Sequence, residues 1–160
     1  AKNDQSKKII VWGVSFALLD LAENNPPDLS NCLVFETGGM KGRRREMTRQ
    51  ELHAVLKDAF KVSGIYSEYG MTELFSQAYA RGSSIFYTPP WMKVMIREVG
   101  DPFTWVKDGR PGGLNIIDLA NVNTISFIET EDSGLLLATG FEVHGRLDNS
   151  DVRGCNLMVE

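Results

Sequence analysis

The stretch Ser63–Gly82, SGIYSEYGMTELFSQAYARG, holds the reading on which the fold turns. Its first part, SGIYSEYG, has the aromatic texture of a short strand entered and left at glycine. Its second part, MTELFSQAYARG, reads as a short helix over 72–80. There Thr72 is the N-cap and Glu73 lies near the positive end of the helix dipole. Upstream, MTRQELHAVLKDAFKV (47–62) is the clearest helix, with Leu52, Val55, Leu56, Ala59 and Phe60 on one face. Thr48 followed three residues later by Glu51 is a capping-box pattern. Before it, NCLVFETGG (31–39) reads as a buried strand ending in a Gly-Gly loop. Strand, helix and strand joined at this spacing predict a parallel pair in an open α/β sheet. Further back, the apolar residues of VWGVSFALLDLAEN (11–24) fall at helical spacing, and NNPPDLS (24–30) is a turn.

From about Ser84 the texture changes. IFYTPPWMKVMIREVG (85–100) alternates, with Met92, Val94 and Ile96 on one face and Lys93, Met95 and Arg97 on the other. DPFTWVKDGRPGG (101–113) is rich in turn residues. LNIIDLAN, TISFIETED, GLLLATG and FEVHGRLD read as short strands broken at Gly, Asn and Asp. The expected fold is α/β, or α+β overall: a parallel strand-helix-strand layer followed by a β-rich small barrel or meander. The expected division is an α/β part at 1–83, a β-rich part at 84–145, and a hinge and C-terminal segment at 146–160.

Composition narrows the classes. A chain of 160 residues is long enough for one domain with a core of its own. The net charge of −4 lacks the basic excess of a nucleic-acid binder. No run of about 18 apolar residues occurs, so no membrane span is expected. The polar start AKNDQSKK is unlike a secretory signal. Cys32 and Cys155 stand far apart, which is no disulfide scaffold, and free thiols in the cytoplasm are expected. His53 and His144 are isolated, which argues against zinc. No Gly-x-Ser-x-Gly elbow occurs.

Four stretches carry candidate chemistry. In YGMTE (69–73), an aromatic, a hydroxyl and a carboxylate follow a strand, at the sheet end where α/β proteins bind ligands. Tyr69 can stack on a purine, Thr72 can meet a phosphate, and Glu73 can hold Mg²⁺. In ETGGMKGRRRE (36–46), Gly38, Gly39 and Gly42 permit close backbone approach, and Lys41 and Arg43–Arg45 add positive charge. A solvated basic loop reads as well, and the Gly-Lys-Ser/Thr of a P-loop is missing. Asp132 closes TISFIETED before a Ser-Gly turn, as a turn aspartate or as a ligand for two vicinal ribose hydroxyls. The stretch HGRLDNSDVRGCNLMVE (144–160) carries Arg146, Asp148, Asp151 and Arg153 ahead of Cys155. That thiol is either a buried small hydrophobe or a nucleophile with its pKa lowered by Arg153.

Taken in order, the Gly-Gly loop, Tyr-Gly-Met-Thr-Glu, Thr-x-Asp-x-Gly and Gly-Arg-x-Asp resemble the adenylate-forming superfamily of acyl-CoA synthetases and their kin. ETGGMKGRRREMT, YGMTELFSQAY, DLANVNTISFIETED and GRLDNSDVRGCNLMVE most resemble the acyl-protein synthetases of the bacterial fatty-acid reductase system. The likeness spans most of 30–160. It implies that Tyr69 stacks on adenine beside Gly38, Gly39 and Gly70. It implies that Thr72 contacts phosphate, Glu73 holds Mg²⁺, Asp132 binds the ribose and Arg146 the ribose or phosphate. Asp148 falls at the hinge before a mobile C-terminal domain, and Cys155 at the cysteine that accepts the acyl group. The implied cofactors are ATP and Mg²⁺, the substrate a fatty acid, and the partner a reductase. Two features depart from the superfamily: Glu131 stands inside Thr130-Glu131-Asp132 where glycine is usual, and no Ser/Thr/Gly-rich phosphate loop precedes YGMTE. The lack of a downstream adenylation lysine fits a subfamily that ends soon after the cysteine, whereas the missing phosphate loop implies the C-terminal half of an enzyme about twice as long, inactive alone. Two other readings stay open: an acyl- or aryl-CoA ligase similar to phenylacetate–CoA ligase, and a nucleotide- or partner-binding module without turnover.

Overall fold

Two β-sheets organise the chain, as seen in a computed structural model that describes residues 7–45, 47–107 and 109–147. The first sheet has the order β1-β2-β3-β4, with β1 Ile9–Val14, β2 Cys32–Thr37, β3 Ile65–Tyr69 and β4 Ala78–Arg81. β1, β2 and β3 run parallel, and β4 returns antiparallel to β3. Helix α1 (Ser15–Glu23) links β1 to β2, and α2 (Arg49–Phe60) links β2 to β3. Leu18, Leu19, Leu52, Leu56 and Phe60 bury against Val34 and Ile65 of the sheet. Thr48 makes the expected capping box with Glu51. His53 takes a buried place on α2, whereas Val55 is exposed.

The second sheet is antiparallel, in the order β5-β9-β8-β7-β6. Its strands are β5 Ile85–Phe86, β6 Met92–Arg97, β7 Pro111–Asp118, β8 Phe127–Leu137 and β9 Gly140–Arg146. β6 to β9 form a meander that β5 extends, so the sheet is curled but open. Phe86, Val94, Ile96, Leu114, Ile116 and Phe141 share one core with Tyr69, Ala78 and Ala80 of the first sheet and Leu74 of the turn between them. The two sheets also meet at a bridge between Tyr79 and Tyr87. The architecture is the expected α/β layer with a β-rich partner.

Three local readings are corrected, and a fourth residue, on its expected face, proves to be buried. Residues 9–14 are strand rather than the start of a helix. Their apolar side chains are those of a strand, and Gly13 lets α1 fold straight back, since a Cβ there would lie 2.9 Å from Leu18. Residues 72–80 are not a helix: 71–77 is an irregular turn, and the chain then pairs Ala78 with Tyr69 as β4. TISFIETED and GLLLATG are not separate strands. β8 runs through both, and the Ser133-Gly134 turn is a register shift within it. A Cβ at Gly134 would come 2.1 Å from the Glu142 carbonyl, so glycine permits close approach of β9 there. Finally, Arg97 lies on the expected face but is buried. It crosses Gly113, where a Cβ would sit 1.5 Å from its Nη1. Its Nε meets Glu129 at 2.9 Å, and its Nη2 donates to the Thr130 carbonyl.

Candidate functional site

Parallel β2 and β3 end side by side, with Thr37 in register with Glu68. The loops that follow, 38–45 and 70–77, therefore leave the same end of the sheet, where α/β folds place ligands. Gly38 and Gly39 take φ of +78° and +69°, a region that disfavours any side chain. Ser15, the first residue of α1, braces this turn. Its hydroxyl donates to Glu36 Oε2 at 2.7 Å and accepts from the Gly39 N–H at 3.2 Å. Glu36 is only 6% exposed, and His53 Nε2 (3.5 Å) and Arg49 Nε (3.8 Å) face its other oxygen. Burial alone would raise the Glu36 pKa, but His53, Ser67, Ser15 and Arg49 together hold it below the usual value. Neighbouring Glu68 is pushed the other way, by its own burial and by the charge of Glu36.

Two basic side chains of the first loop, Arg43 and Arg44, turn to α1. Arg44 grips Glu23 through both terminal nitrogens, at 2.8 and 2.6 Å, and also meets Asp20. Arg43 lies over the Phe16 ring.

The second loop is held from the other sheet. Asp118, fully buried at the end of β7, accepts from the Phe75 and Ser76 N–H groups and from the Ser76 hydroxyl. Trp91 Nε1 donates to that hydroxyl in turn. Asn121 Nδ2 donates to the Glu73 carbonyl at 2.7 Å. These bonds replace the helical bonds that the sequence pattern predicts, and they leave Thr72 and Glu73 exposed on a turn. Both line an open groove of about 530 Å³ with Phe75, Ile125, Phe127 and Ile128. At Gly70 a Cβ would come 3.1 Å from Gln77, so glycine suits the tight exit from β3.

Tyr69 joins the two sheets. Its ring lies edge-on to Phe86 and Phe141, and its hydroxyl donates to Asp132 Oδ2 at 2.8 Å. Burial and the Asp132 charge push the phenol pKa far up, so it stays a donor. The ring is thus packed in the core, 9% exposed, and acts on Asp132 through its hydroxyl. Arg146 stands opposite Asp132 in the β8–β9 register, but its guanidinium pairs with Glu131. Glu131, the residue that departs from the superfamily pattern, is therefore the one that engages the arginine. Asp148 and Cys155 lie outside the described residues.

The structure thus joins Tyr69, Asp132 and Arg146 across the sheets, and sets Gly38, Gly39, Gly70, Thr72 and Glu73 on the two neighbouring loops. Sequence reasoning missed Ser15, Glu36, Asp118 and Asn121. Only Asp118 carried a signal, as a lone acid closing an apolar strand. Among the described residues no group of three or more His, Cys, Asp or Glu could hold a metal ion. A lone exposed Glu73 nevertheless fits Mg²⁺, which usually takes one or two carboxylates and completes its shell with substrate phosphates and water. No helix among those residues is long and apolar enough to cross a membrane.

Across most of the chain this fold is similar to that of solved ATP-bound and adenylate-bound proteins. ATP-bound MatB from Rhodopseudomonas palustris matches with a TM-score of 0.64 at 12% identity, over 89% of this chain and 31% of that one. McyG A-PCP complexed with phenylalanyl-adenylate gives 0.64 at 15% identity, over 88% and 30%. A benzoate CoA ligase from Burkholderia xenovorans LB400 gives 0.57 at 17%, over 86% and 31%. The chain therefore spans about a third of the length of these proteins. No family model and no curated protein matches the sequence.

Proposed function

We propose that this chain forms part of an ATP-dependent acid–thiol ligase, and within that class an acyl-protein synthetase. The observation that supports it best is the Tyr69–Asp132 bond beside two strand-end loops, within a fold shared with ATP-bound and adenylate-bound enzymes. In this reading Asp132, oriented by the Tyr69 hydroxyl, grips the ribose diol, and Arg146 sits beside it. Gly38, Gly39 and Gly70 let the nucleotide approach the backbone. Thr72 donates to phosphate, and the exposed Glu73 holds Mg²⁺, which when bound neutralises phosphate charge.

Two steps follow. A fatty carboxylate oxygen attacks the α-phosphorus of ATP, the α–β P–O bond breaks, and pyrophosphate leaves with the electron pair. The Cys155 thiol, after losing its proton, attacks the carbonyl carbon of the acyl-adenylate. The C–O bond breaks, AMP leaves, and a thioester remains for a reductase partner. Asp148 takes the hinge between the two steps.

The first step is tested by ATP–pyrophosphate exchange in the full-length enzyme, where Glu73→Gln should lower the rate at least tenfold; an unchanged rate removes Glu73 from the site. The second is tested by loading with labelled fatty acid and ATP. Hydroxylamine-labile label should vanish in Cys155→Ser. Label that persists, or product released only with CoA, replaces this reading with the CoA-ligase one. The 160 residues alone should show no exchange.

A further inference from the structure

A second groove, of about 300 Å³, lies between α2 and the β4–β5 turn, and it shares no residue with the groove of Thr72 and Glu73. Arg49, His53 and Lys57 line it at four-residue intervals, which stacks them on one helix face along about 12 Å. The opposite wall is Ser63, Gly64, Gly82, Ser83 and Ser84.

The state of these side chains separates the groove from an ordinary solvated face. Arg49 is fixed and partly buried: its guanidinium lies over the Phe86 ring at 4.7 Å, and its side chain is 26% exposed. Among the described residues it makes no hydrogen bond, and its one close ion pair is the loose Nε contact to Glu36. The charge of Glu142 also reaches this guanidinium, but its terminal nitrogens stay open to water and can meet an acceptor without the side chain being reordered. His53 Nε2 is engaged by Ser67 and Glu36, leaving Nδ1 unused. Lys57 has no ion pair among the described residues. Ser83 Oγ accepts from the Ile85 N–H, so its own proton can be donated. Donors therefore converge in a cavity too small for the apolar centre of a protein interface.

We infer that the groove between α2 and the β4–β5 turn binds an oxyanion of the phosphate class, with Arg49 and Lys57 as its charged clamps and Ser83 as a hydroxyl donor. Such an anion comes from two sources, inorganic pyrophosphate or the phosphomonoester end of a larger ligand. The inference stands whether or not the chain belongs to a ligase.

The experiment is an amide NMR titration of the ¹⁵N-labelled chain with pyrophosphate and, separately, with adenosine 3′-phosphate, against sodium chloride at equal ionic strength. Saturable shifts are expected at residues 49–57, 63–64 and 82–84, with chloride giving none. The tighter of the two ligands identifies the source. Lys57→Gln, an exposed change that leaves the fold intact, should weaken binding about tenfold, the effect of one charge-assisted bond. Arg49→Gln should weaken it more. Shifts that follow ionic strength alone, that map only to the 38–45 and 70–77 loops, or that are unchanged in Lys57→Gln overturn the inference.

Discussion

Replacing Asp118 with alanine should detach the turn that carries Thr72 and Glu73. Its carboxylate accepts four hydrogen bonds, from Phe75 N (3.0 Å), Ser76 N (2.8 Å), Ser76 Oγ (2.7 Å) and Ala120 N (3.1 Å). Phe75 and Ala120 are exposed, so their N–H groups regain water when the carboxylate is gone. Ser76 is 5% exposed, so its N–H is left unpaired. One charge-assisted bond is worth about 1.5–3 kcal/mol, and one stranded buried donor costs about 1–3 kcal/mol. The expected loss is therefore about 3–5 kcal/mol. Asp118→Asn should lose less, about 1–3 kcal/mol, because one oxygen survives while the new amide meets N–H donors. Urea denaturation reads both values. The carboxylate also has a pH signature. Burial alone would raise its pKa, but the Ser76, Ala120 and Phe75 bonds hold it below the ordinary value. A depressed folded pKa means stability that is present above the unfolded value, about 3.9, and lost as pH falls toward the folded one. The acid limb of the stability curve should therefore flatten in Asp118→Asn. A loss under about 1 kcal/mol in Asp118→Ala, or an unchanged acid limb, would refute the clamp.

Two further outcomes follow from close approach and from the buried network. Gly113→Ala must displace the Arg97 guanidinium, which a Cβ would meet at 1.5 Å, and should cost about 2–3 kcal/mol in urea melts. Combining it with Arg97→Ala should cost clearly less than the sum of the two changes; strict additivity would show that the two do not touch. Glu36→Gln replaces the charge facing Ser15, His53 and Arg49 and should destabilise by about 2–4 kcal/mol. Its deficit should shrink below pH 4, because the wild-type carboxylate, with its lowered pKa, then protonates too. A deficit constant between pH 3 and 7 would contradict the network.

The parallel β2–α2–β3 unit was legible in the sequence because its signals are local. A capping box, a 3.6-residue apolar period and a Gly-Gly exit each act within a few residues. The alternation of β6 was equally plain, with Met92, Val94 and Ile96 inward as expected. The helix expected at 72–80 failed for a reason that no local window contains: Asp118, more than forty residues on, takes the N–H groups of Phe75 and Ser76. β8 was cut in two because Ser-Gly marks a turn in isolation, whereas pairing with β9 makes Gly134 a point of close approach.

The candidate site divides along the same line. Residue types and their order were legible without coordinates: the loop glycines, Thr72 with Glu73, Tyr69, Asp132 and Arg146. What each one touches is set by how the two sheets pack. That packing buried the Tyr69 ring between Phe86 and Phe141 and turned its hydroxyl to Asp132. The tertiary structure paired Arg146 with Glu131, turned Arg44 to α1, and set Ser15 and Glu36 beneath the Gly-Gly loop. Propensity and periodicity act between near neighbours along the chain. A buried polar group must instead find its partner wherever the fold brings one, and that partner lies at any sequence distance.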